Sequence, residues 1–401
     1  MSLWRNRDYL LLWSGQSISA IGSRASGIVF PLLILDLTHS AAQAGLAAAL
    51  ETIPYALFGL PGGALVDRWN RKRVMLLCDT LRALNIVSVP LALWRGHLTV
   101  AQLFLVAFLE GSFYTFHDIA QQASLPRVVS AEQLPAALTR SSALVGTAGL
   151  IGPPIGGALY QVGRAVPFLV DAASYAASVV SLFFVRTELQ EDRDESRRRL
   201  RVEILEGLRW IRRQPLVRFT GFMAANNGMV FTGLGLITIV LARQQHASAA
   251  TIGLMFAIAS IGGTAGSFVT NPLVRRFSFA GILIGTCWVA VLLWPLFLLI
   301  TTPLLLGALT GILWMNSTPF HLAAYIHRRA LLPDELQGRV GSVFELSELG
   351  ADTAGAALTG FLIQVAGTRS TLLILLGWLA LQAVVVTSNR HVRHAPALIE
   401  G

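Results

Sequence analysis

Charged residues are scarce in this sequence: Asp, Glu, Lys and Arg together make up 13% of its 401 residues. A soluble domain carries about 25% charged residues, so most of this surface does not face water. Cysteine is also rare, and both cysteines, Cys78 and Cys287, fall within apolar segments. We therefore expect packing roles for them, with no disulfide, no metal site and no cofactor.

Long apolar runs are present where charge is missing. Residues 160–186 and 287–314 are nearly uninterrupted apolar stretches, and about 20 apolar residues cross a bilayer core as a helix. A transmembrane barrel would instead show alternating segments of about ten residues, a pattern that this sequence lacks. The sequence therefore predicts an all-α integral membrane protein.

The apolar runs predict twelve transmembrane helices. They cover residues 9–35, 41–66, 74–94, 99–124, 137–162, 165–186, 216–242, 249–273, 278–300, 303–328, 340–366 and 368–388. One connection, residues 187–215, is long and polar. The predicted organisation is a first bundle over 1–186, a cytoplasmic linker over 187–215, a second bundle over 216–388 and a cytoplasmic tail over 389–401.

The positions of the basic residues predict the orientation. If the N-terminus is cytoplasmic, 25 of the 31 Lys and Arg residues fall on the cytoplasmic side and 4 on the other. This asymmetry predicts that both termini are cytoplasmic. It also accounts for the formal net charge of +9, so nucleic-acid binding needs no separate hypothesis. Contact between the linker arginines and anionic lipid is consistent with the same pattern.

An internal repeat relates the two predicted bundles. The segment Gly63-Ala-Leu-Val-Asp-Arg-Trp69 leaves span two, and Asn271-Pro-Leu-Val-Arg-Arg-Phe277 leaves span eight, 208 positions later. Likewise, residues 125–134 precede span five and residues 332–336 precede span eleven, each beginning Leu-Pro. The pattern predicts two pseudo-symmetric six-helix bundles in parallel repeat.

The segment that begins at Gly63 resembles the loop signature G-x-L-x-D-R-x-G-R-K of the major facilitator superfamily. The one departure is Asn70, where the family has glycine; Asn tolerates left-handed turn geometry better than most residues. The resemblance covers nearly the whole chain and implies a secondary transporter. It implies a gating motif whose residues are Gly63, Asp67, Arg68, Arg71 and Lys72. It also implies that Asp118 on span four is the carboxylate partner of Arg71.

A second segment resembles the exporter signature G-P-x-x-G-G of the same superfamily. It is Gly152-Pro-Pro-Ile-Gly-Gly157 in span five, with Ala148 where the family has a further glycine. The opening residues 5–13 and the pair Asp79 and Arg82 resemble the branch of macrolide-efflux and enterobactin exporters. Many drug:proton antiporters carry a span-four arginine where this chain has Ala107, which weakens the case for proton coupling.

Two physical interpretations of each motif stay open. The Asp67 loop is either a latch that holds the inner gate shut or a solvated loop with topology-setting charge. Arg71 would pair with Asp118 in the latch. The small residues of span five are either a hinge and a tight seal against the other half, or plain small-residue packing. The residues of this hinge hypothesis are Gly149, Gly152, Pro153, Gly156 and Gly157.

Charged residues within spans are costly and point to function. At 1.5 Å per residue, four of them lie near mid-membrane: Arg24, Glu51, Glu110 and Asp352. A pair between Arg24 and either glutamate would relieve the cost of burial, and a buried carboxylate there could carry a proton. The alternative is a static ion pair that orders the bundle. Asp79 and Arg82, three residues apart, are expected to pair locally.

A substrate cavity is expected at mid-depth between the two halves. Its candidate residues are Gln16, Phe113, Phe116, Asn226, Asn227, Trp314 and Asn316. Aromatic and amide side chains beside a carboxylate suit an amphipathic compound, including a cationic one. Core or lipid contact is the alternative for each aromatic residue.

The sequence therefore predicts a secondary transporter that exports small amphipathic molecules, such as a drug, macrolide or siderophore, by proton antiport. An importer or uniporter on the same fold is the closest alternative. A membrane-embedded enzyme is disfavoured, because no clustered catalytic motif and no Walker motif is present in the sequence. The expected partners are substrate, protons and the lipid bilayer. We expect a monomer in a prokaryotic cytoplasmic membrane.

Overall fold

The computed structural model describes residues 3–190, 200–333 and 336–395, and within them it is helical with short connections. The helices are α1 Arg7–Thr38, α2 Ala41–Val66, α3 Arg71–Trp94, α4 Val100–Val128, α5 Leu134–Val162, α6 Val166–Phe183, α7 Leu200–Arg213, α8 Pro215–Gln244, α9 Ala249–Arg276, α10 Phe279–Leu293, α11 Pro303–Leu331, α12 Gln337–Ser388 and α13 Arg390–Arg393. Two 3-10 segments, Leu3–Arg5 and Trp294–Leu298, precede α1 and follow α10.

Eight helices in the described part of the chain are long and apolar enough to cross a membrane. They are α1, α3, α5, α6, α8, α9, α10 with its 3-10 extension, and α12. The long helices α2, α4 and α11 lie where the sequence predicts spans but are not among these eight. Twelve membrane crossings therefore stay a prediction, as does the cytoplasmic position of both termini.

Polar side chains at the predicted boundaries start several helices. The side chains of Asn6, Ser40 and Thr99 each accept a hydrogen bond from the backbone N–H three residues later, which satisfies one of the free amides of a first helical turn. Asn70 and Ser278 do the same for α3 and α10. These two caps are 208 residues apart, so the sequence repeat extends to the local structure of both loops.

The cap at Asn70 corrects one expectation. Asn70 has φ −67° and ψ 109°, an extended conformation rather than a left-handed one. Asn therefore serves here as a hydrogen-bond acceptor for the amide of Arg73, a role that glycine cannot fill. Positive φ is found instead at His39 and His246, at the ends of α1 and α8.

The chain divides into two compact units. Unit 1 comprises Met1–Glu195 and Ala247–Ala257, and unit 2 comprises Ser196–His246 and Ile258–Gly401. The start of α9 thus belongs with the first unit, whereas the sequence assigns all of α9 to the second bundle. The one remaining boundary, between residues 195 and 196, falls within the predicted linker.

Besides the start of α9, unit 1 contains α1–α6, in which neighbouring helices run in opposite directions. Contacts pair the start of α3 with the end of α6 and the end of α3 with the start of α4, so α3 is antiparallel to both. The chain therefore returns to its starting end after six helices. There the carboxylate of Asp8 accepts hydrogen bonds from the backbone N–H groups of Arg186 and Thr187. A buried apolar cluster that includes Tyr9, Met75 and Ala120 fills this end.

In unit 2, α12 consists of two antiparallel arms. Its 52 residues would span about 78 Å as one helix, far more than a bilayer core of about 30 Å. The helix breaks at Gly367, where φ is 80°. The first arm runs along α8 from Phe344 beside Gly221 to Thr359 beside Gly233, and the second returns to place Gln382 beside Asn226. These arms correspond to the predicted spans 340–366 and 368–388.

The predicted polar linker contains a helix that the apolar runs do not indicate. In α7, Ile211 is 9% exposed and joins a cluster with Val217, Leu332, Val340 and Phe344, while Leu208 is 40% exposed. Arg339 of α12 pairs with Glu206 of α7 at 2.5 Å. Thus α7 is an amphipathic helix docked on the beginning of α12.

Candidate functional site

A buried ion pair between α3 and α4 lies at the centre of unit 1. Nε of Arg82 donates to Oε1 of Glu110 at 2.7 Å, and the hydroxyl of Tyr175 on α6 donates to the same oxygen at 2.6 Å. One Nη of Arg82 also donates to that hydroxyl at 2.7 Å, and the guanidinium carbon lies 4.2 Å from the Tyr175 ring centroid. Glu110 is therefore held by two helices besides its own.

The second carboxylate oxygen of Glu110 lacks the hydrogen bonds that the first one accepts. Oε2 is buried and has no hydrogen-bond partner within the residues that the structure describes. The side chain as a whole is 13% exposed, against 5% for Arg82. This oxygen is a position where a proton can bind while Oε1 keeps its partners.

Asp79 extends the network toward one end of unit 1. Its carboxylate lies 3.8 Å from Nη1 of Arg82, which is the local pair expected from the sequence, and 3.3 Å from Nε2 of His117 on α4. Ser178 on α6 donates to the same carboxylate at 2.6 Å. The interior of unit 1 thus contains two linked carboxylates and one imidazole, joined through one arginine.

Asp171 on α6 is a further buried carboxyl group, only 1% exposed. Ser26 of α1 donates to its Oδ2 at 2.5 Å, and Ser174 lies 3.2 Å from its Oδ1. The sequence interpretation overlooked Asp171 because residues 160–186 were treated as an apolar run. The rule that selected Glu51 and Glu110, a charged residue inside a predicted span, would have found it.

Two alternative pairs were expected for Arg24, one with Glu51 and one with Glu110. Arg24 and Glu51 interact electrostatically, but the pair between Arg24 and Glu110 is not formed. Arg24 is exposed, as is Glu51, and Arg82 occupies the position at Glu110 that we expected Arg24 to take. Glu51 lies beside this network, because its backbone oxygen meets Gly111 where α2 crosses α4. Asp352 lies in unit 2, against Gly228.

The loop between α2 and α3 joins four helix ends. Arg71 is 5% exposed, and its Nη1 donates to the carbonyls of Ala123 at 2.9 Å and Leu189 at 3.2 Å. Nη2 lies 3.4 Å from Oδ1 of Asp67. Lys72 donates to the carbonyls of Phe183 and Val185, which are free acceptors at the end of α6.

The expected pair between Arg71 and Asp118 is not formed. Asp118 accepts a hydrogen bond from Gln122 at 2.7 Å, while Arg71 contacts α4 at Ala123. Five residues separate these positions, about 7.5 Å along the helix. Gly63 and Arg68 belong to the same turn, and a Cβ on Gly63 would meet nothing within 4 Å.

The glycines of α5 bring it close to α1 and to the beginning of α9. A Cβ on Gly152 would lie on Arg24, and one on Gly156 would overlap the backbone oxygen of Ala25, so both glycines contact the same half. Gly157 instead meets the backbone of Ala249 in the first turn of α9. Gly253 on α9 meets the carbonyl of Pro153 in turn. Gly149 lies on α5 as well.

The predicted cavity residues fall into different environments. Phe113 and Phe116 of unit 1 are packed against its apolar cluster, and Phe116 stacks on Phe58 at 6.0 Å. Gln16 is half-buried on α1. The sequence alternative of core contact therefore describes Phe113 and Phe116 better than an open cavity.

In unit 2 the predicted amides form an interhelical network. Asn226 donates to Gln382 at 2.7 Å and accepts from Nε1 of Trp378 at 2.8 Å. Asn227 lies 3.3 Å from Nε2 of His321. Asn316 donates to the carbonyl of Thr286 at 2.8 Å. Trp314 lies beside Gly263, because a Cβ added to Gly263 would be 3.8 Å from the Trp314 ring.

Comparison with known proteins places this architecture in a family. A family model described as Major Facilitator Superfamily matches residues 12–348. The chain is 25% identical over 392 residues to the enterobactin exporter EntS of Escherichia coli K12, covering 94% of this chain and 92% of that protein. It is 28% identical over 384 residues to the multidrug efflux pump Tap of Mycolicibacterium fortuitum, covering 91% of each. The fold is also similar to that of the nucleoside transporter NupG, with a TM-score of 0.80 at 12% identity, covering 96% of this chain and 98% of that one.

Proposed function

The chain belongs to the major facilitator superfamily of multi-pass membrane transporters, and we propose that it exports small amphipathic molecules in exchange for protons. Two relatives that align over more than nine-tenths of the chain are named as exporters, one of enterobactin and one of several drugs. NupG supports the fold alone at 12% identity. The export direction therefore rests on the relatives and on the span-five signature.

Glu110 carries the proposal of proton coupling. Its Oε1 is held by Arg82 and Tyr175 and its Oε2 is unpartnered among the described residues. Protonation would neutralise the carboxylate and remove most of its attraction for Arg82. That change would loosen the contact between α3 and α4 and free Arg82 for Asp79, 3.8 Å away. A network with two arrangements of this kind can link one bound proton to a helix movement.

The energy available from protons is sufficient for export. One proton moving inward yields about 2.3 kcal/mol per 100 mV of membrane potential and about 1.4 kcal/mol per pH unit. A gradient of 100 mV with one pH unit therefore supports a concentration ratio of several hundred for a neutral substrate.

The Asp67 loop supports alternating access through its anchored ends. Arg71 and Lys72 bond to one carbonyl in the second-last turn of α4, to the last carbonyl of α6 and to carbonyls in the segment after α6. The cytoplasmic ends of unit 1 would therefore move together. We propose that this loop holds the helices of unit 1 together, so that the unit moves as one rigid body during alternating access. From the family signature we also propose that Asp67 acts as a latch that holds the inner gate shut.

The test uses everted membrane vesicles with an acidic interior. Uptake of dyes, macrolides and siderophores is measured with and without an uncoupler, for the unaltered chain and for Glu110→Gln. Export by proton antiport predicts uptake that the uncoupler abolishes and that the variant lacks. Accumulation in intact cells but not in everted vesicles would instead identify an importer.

A further inference from the structure

A pocket inside unit 2 carries chemistry that none of the predicted site residues accounts for. It has a volume of about 340 Å³ and lies among α8, α9, α11 and α12. Its aromatic and ionisable lining residues are His321, Tyr325, Arg328, Phe344 and Glu348. The volume is within the range of small-molecule sites, about 300–1,000 Å³.

Arg328 is the cation in this pocket. Its guanidinium carbon lies 4.2 Å from the Phe344 ring centroid and 5.4 Å from that of Tyr325. Stacking occupies the faces of the guanidinium and leaves its N–H donors pointing outward in the plane. No hydrogen bond from Arg328 is found within residues 3–190, 200–333 and 336–395. A half-buried, stacked arginine with free donors is well suited to bind a planar anion.

Phe344 is a rigid platform for this arginine. Its ring fills the space beside Gly221 so closely that a Cβ there would overlap the ring. The same residue is 6% exposed and belongs to the cluster that contains Ile211 of α7. Contacts from α7, α8 and α12 therefore fix the ring on which Arg328 stacks, so little ordering is needed when a ligand binds.

Glu348 supplies the competing negative charge. It is one turn beyond Phe344 on α12, lines the same pocket and interacts electrostatically with Arg328. The two side chains do not form an ion pair within the described part of the chain. A ligand anion that reaches Arg328 must therefore outcompete Glu348, which would tune the affinity of the site.

We propose that this pocket binds the acidic group of amphipathic organic anions, with Arg328 as the specificity-determining residue. A carboxylate or an ionised phenol on an aromatic molecule would pair with the guanidinium edge, while Phe344 and Tyr325 contact its apolar part. The positive charge of Arg328 would repel a cationic compound, so this pocket favours anions over the cationic class considered from the sequence. The role of the pocket as a substrate site rests on the proposed export function.

Binding of two dyes of one scaffold tests the proposal. Fluorescence anisotropy is measured with the purified full chain in neutral detergent, using anionic carboxyfluorescein and cationic rhodamine 6G. Carboxyfluorescein should bind more tightly, and Arg328→Gln should weaken it about tenfold or more, the loss expected for a charged hydrogen bond. Arg328→Lys should give an intermediate affinity, and Glu348→Gln should strengthen binding several-fold. Arg276→Gln, which removes an exposed charge in the same unit, should change nothing.

The proposal is overturned if the unaltered protein does not bind carboxyfluorescein, or if Arg328→Gln weakens both dyes equally. If Arg328→Gln does not fold, Arg328→Lys replaces it, because lysine keeps the charge but lacks the paired N–H donors of a guanidinium. Equal weakening of both dyes by Arg328→Lys would then overturn the proposal. Efflux from proteoliposomes separates this inference from the export function. Arg328-dependent binding without transport would refute export alone, and carboxyfluorescein efflux that does not depend on Arg328 would refute the pocket alone.

Discussion

Arg82 on α3 and Glu110 on α4 lie 2.7 Å apart in the interior of unit 1, and the hydroxyl of Tyr175 bonds to both. Two helices are thus joined by a charged pair whose side chains are 5% and 13% exposed. Removing one member of a buried pair leaves the other uncompensated and costs about 3–5 kcal/mol. Substitutions here must therefore preserve the hydrogen bonds if they are to report on function.

Glu110→Gln is the substitution that meets this condition. The amide keeps an acceptor for Arg82 and Tyr175 but cannot take up a proton. We expect proton-driven uptake into everted vesicles to fall at least tenfold, while exchange of labelled for unlabelled substrate without a gradient continues. Both rates are measured on the same vesicles.

Glu132→Gln is the matched control for this variant, because Glu132 is an exposed carboxylate in the same unit. It should leave proton-driven uptake unchanged. Normal uptake in Glu110→Gln would exclude Glu110 as the coupling group and direct attention to Asp79 and Asp171.

A double-mutant cycle tests the partner of Arg71. Arg71→Gln combined with Asp67→Asn should show a coupling energy of about 0.5–1 kcal/mol, whereas its combination with Asp118→Asn should be additive within about 0.3–0.5 kcal/mol. Unfolding in mixed micelles gives the free energies. A larger coupling to Asp118 than to Asp67 would restore the pairing that the family resemblance implies. Asp67→Asn should also weaken transport without reducing membrane insertion.

Gly156→Ala tests the contact of α5 with α1. The added Cβ would overlap the backbone oxygen of Ala25, so the helices must separate, at a cost of about 1–3 kcal/mol. We expect a lower melting temperature and slower efflux. Gly27→Ala on α1 is the control, since a Cβ there meets nothing within 4 Å, and equal behaviour of the two variants would contradict the contact.

Two substitutions on α7 test whether this helix is docked. Ile211 is 9% exposed and Leu208 is 40% exposed. Ile211→Asp should release α7 from α12 and speed tryptic cleavage within residues 201–213 several-fold, because docked backbone resists proteolysis. Leu208→Asp should not. Similar cleavage rates for both variants would show that α7 is not held by its apolar side.

Several features follow from local sequence alone. The apolar runs and polar caps predict helix positions closely, including the two arms of α12 on either side of Gly367. The residues of the Asp67 loop were identified through their resemblance to the family's loop signature, and Asp79 with Arg82 through a three-residue separation. These inferences succeed because helix formation and i to i+3 contacts depend on residues close together in the chain.

Pairings between helices could not be predicted in this way. Depth along a helix placed Arg24 and Glu110 at one level, but it does not define the direction in which each side chain points. Arg82 reaches Glu110 because α3 packs directly against α4, and Arg71 reaches Ala123 rather than Asp118 because the loop lies beyond that turn.

By itself, the sequence determined the membrane class, the repeat, the family resemblance and the residues that carry charge into the spans. These depend on composition and on local spacing. Only the tertiary structure decided which charges meet, that the α5 glycines contact α1, and that Arg328 stacks on Phe344 beside an open pocket. Those relationships join residues far apart in the chain, and they are set by helix rotation and close packing, which no local pattern encodes.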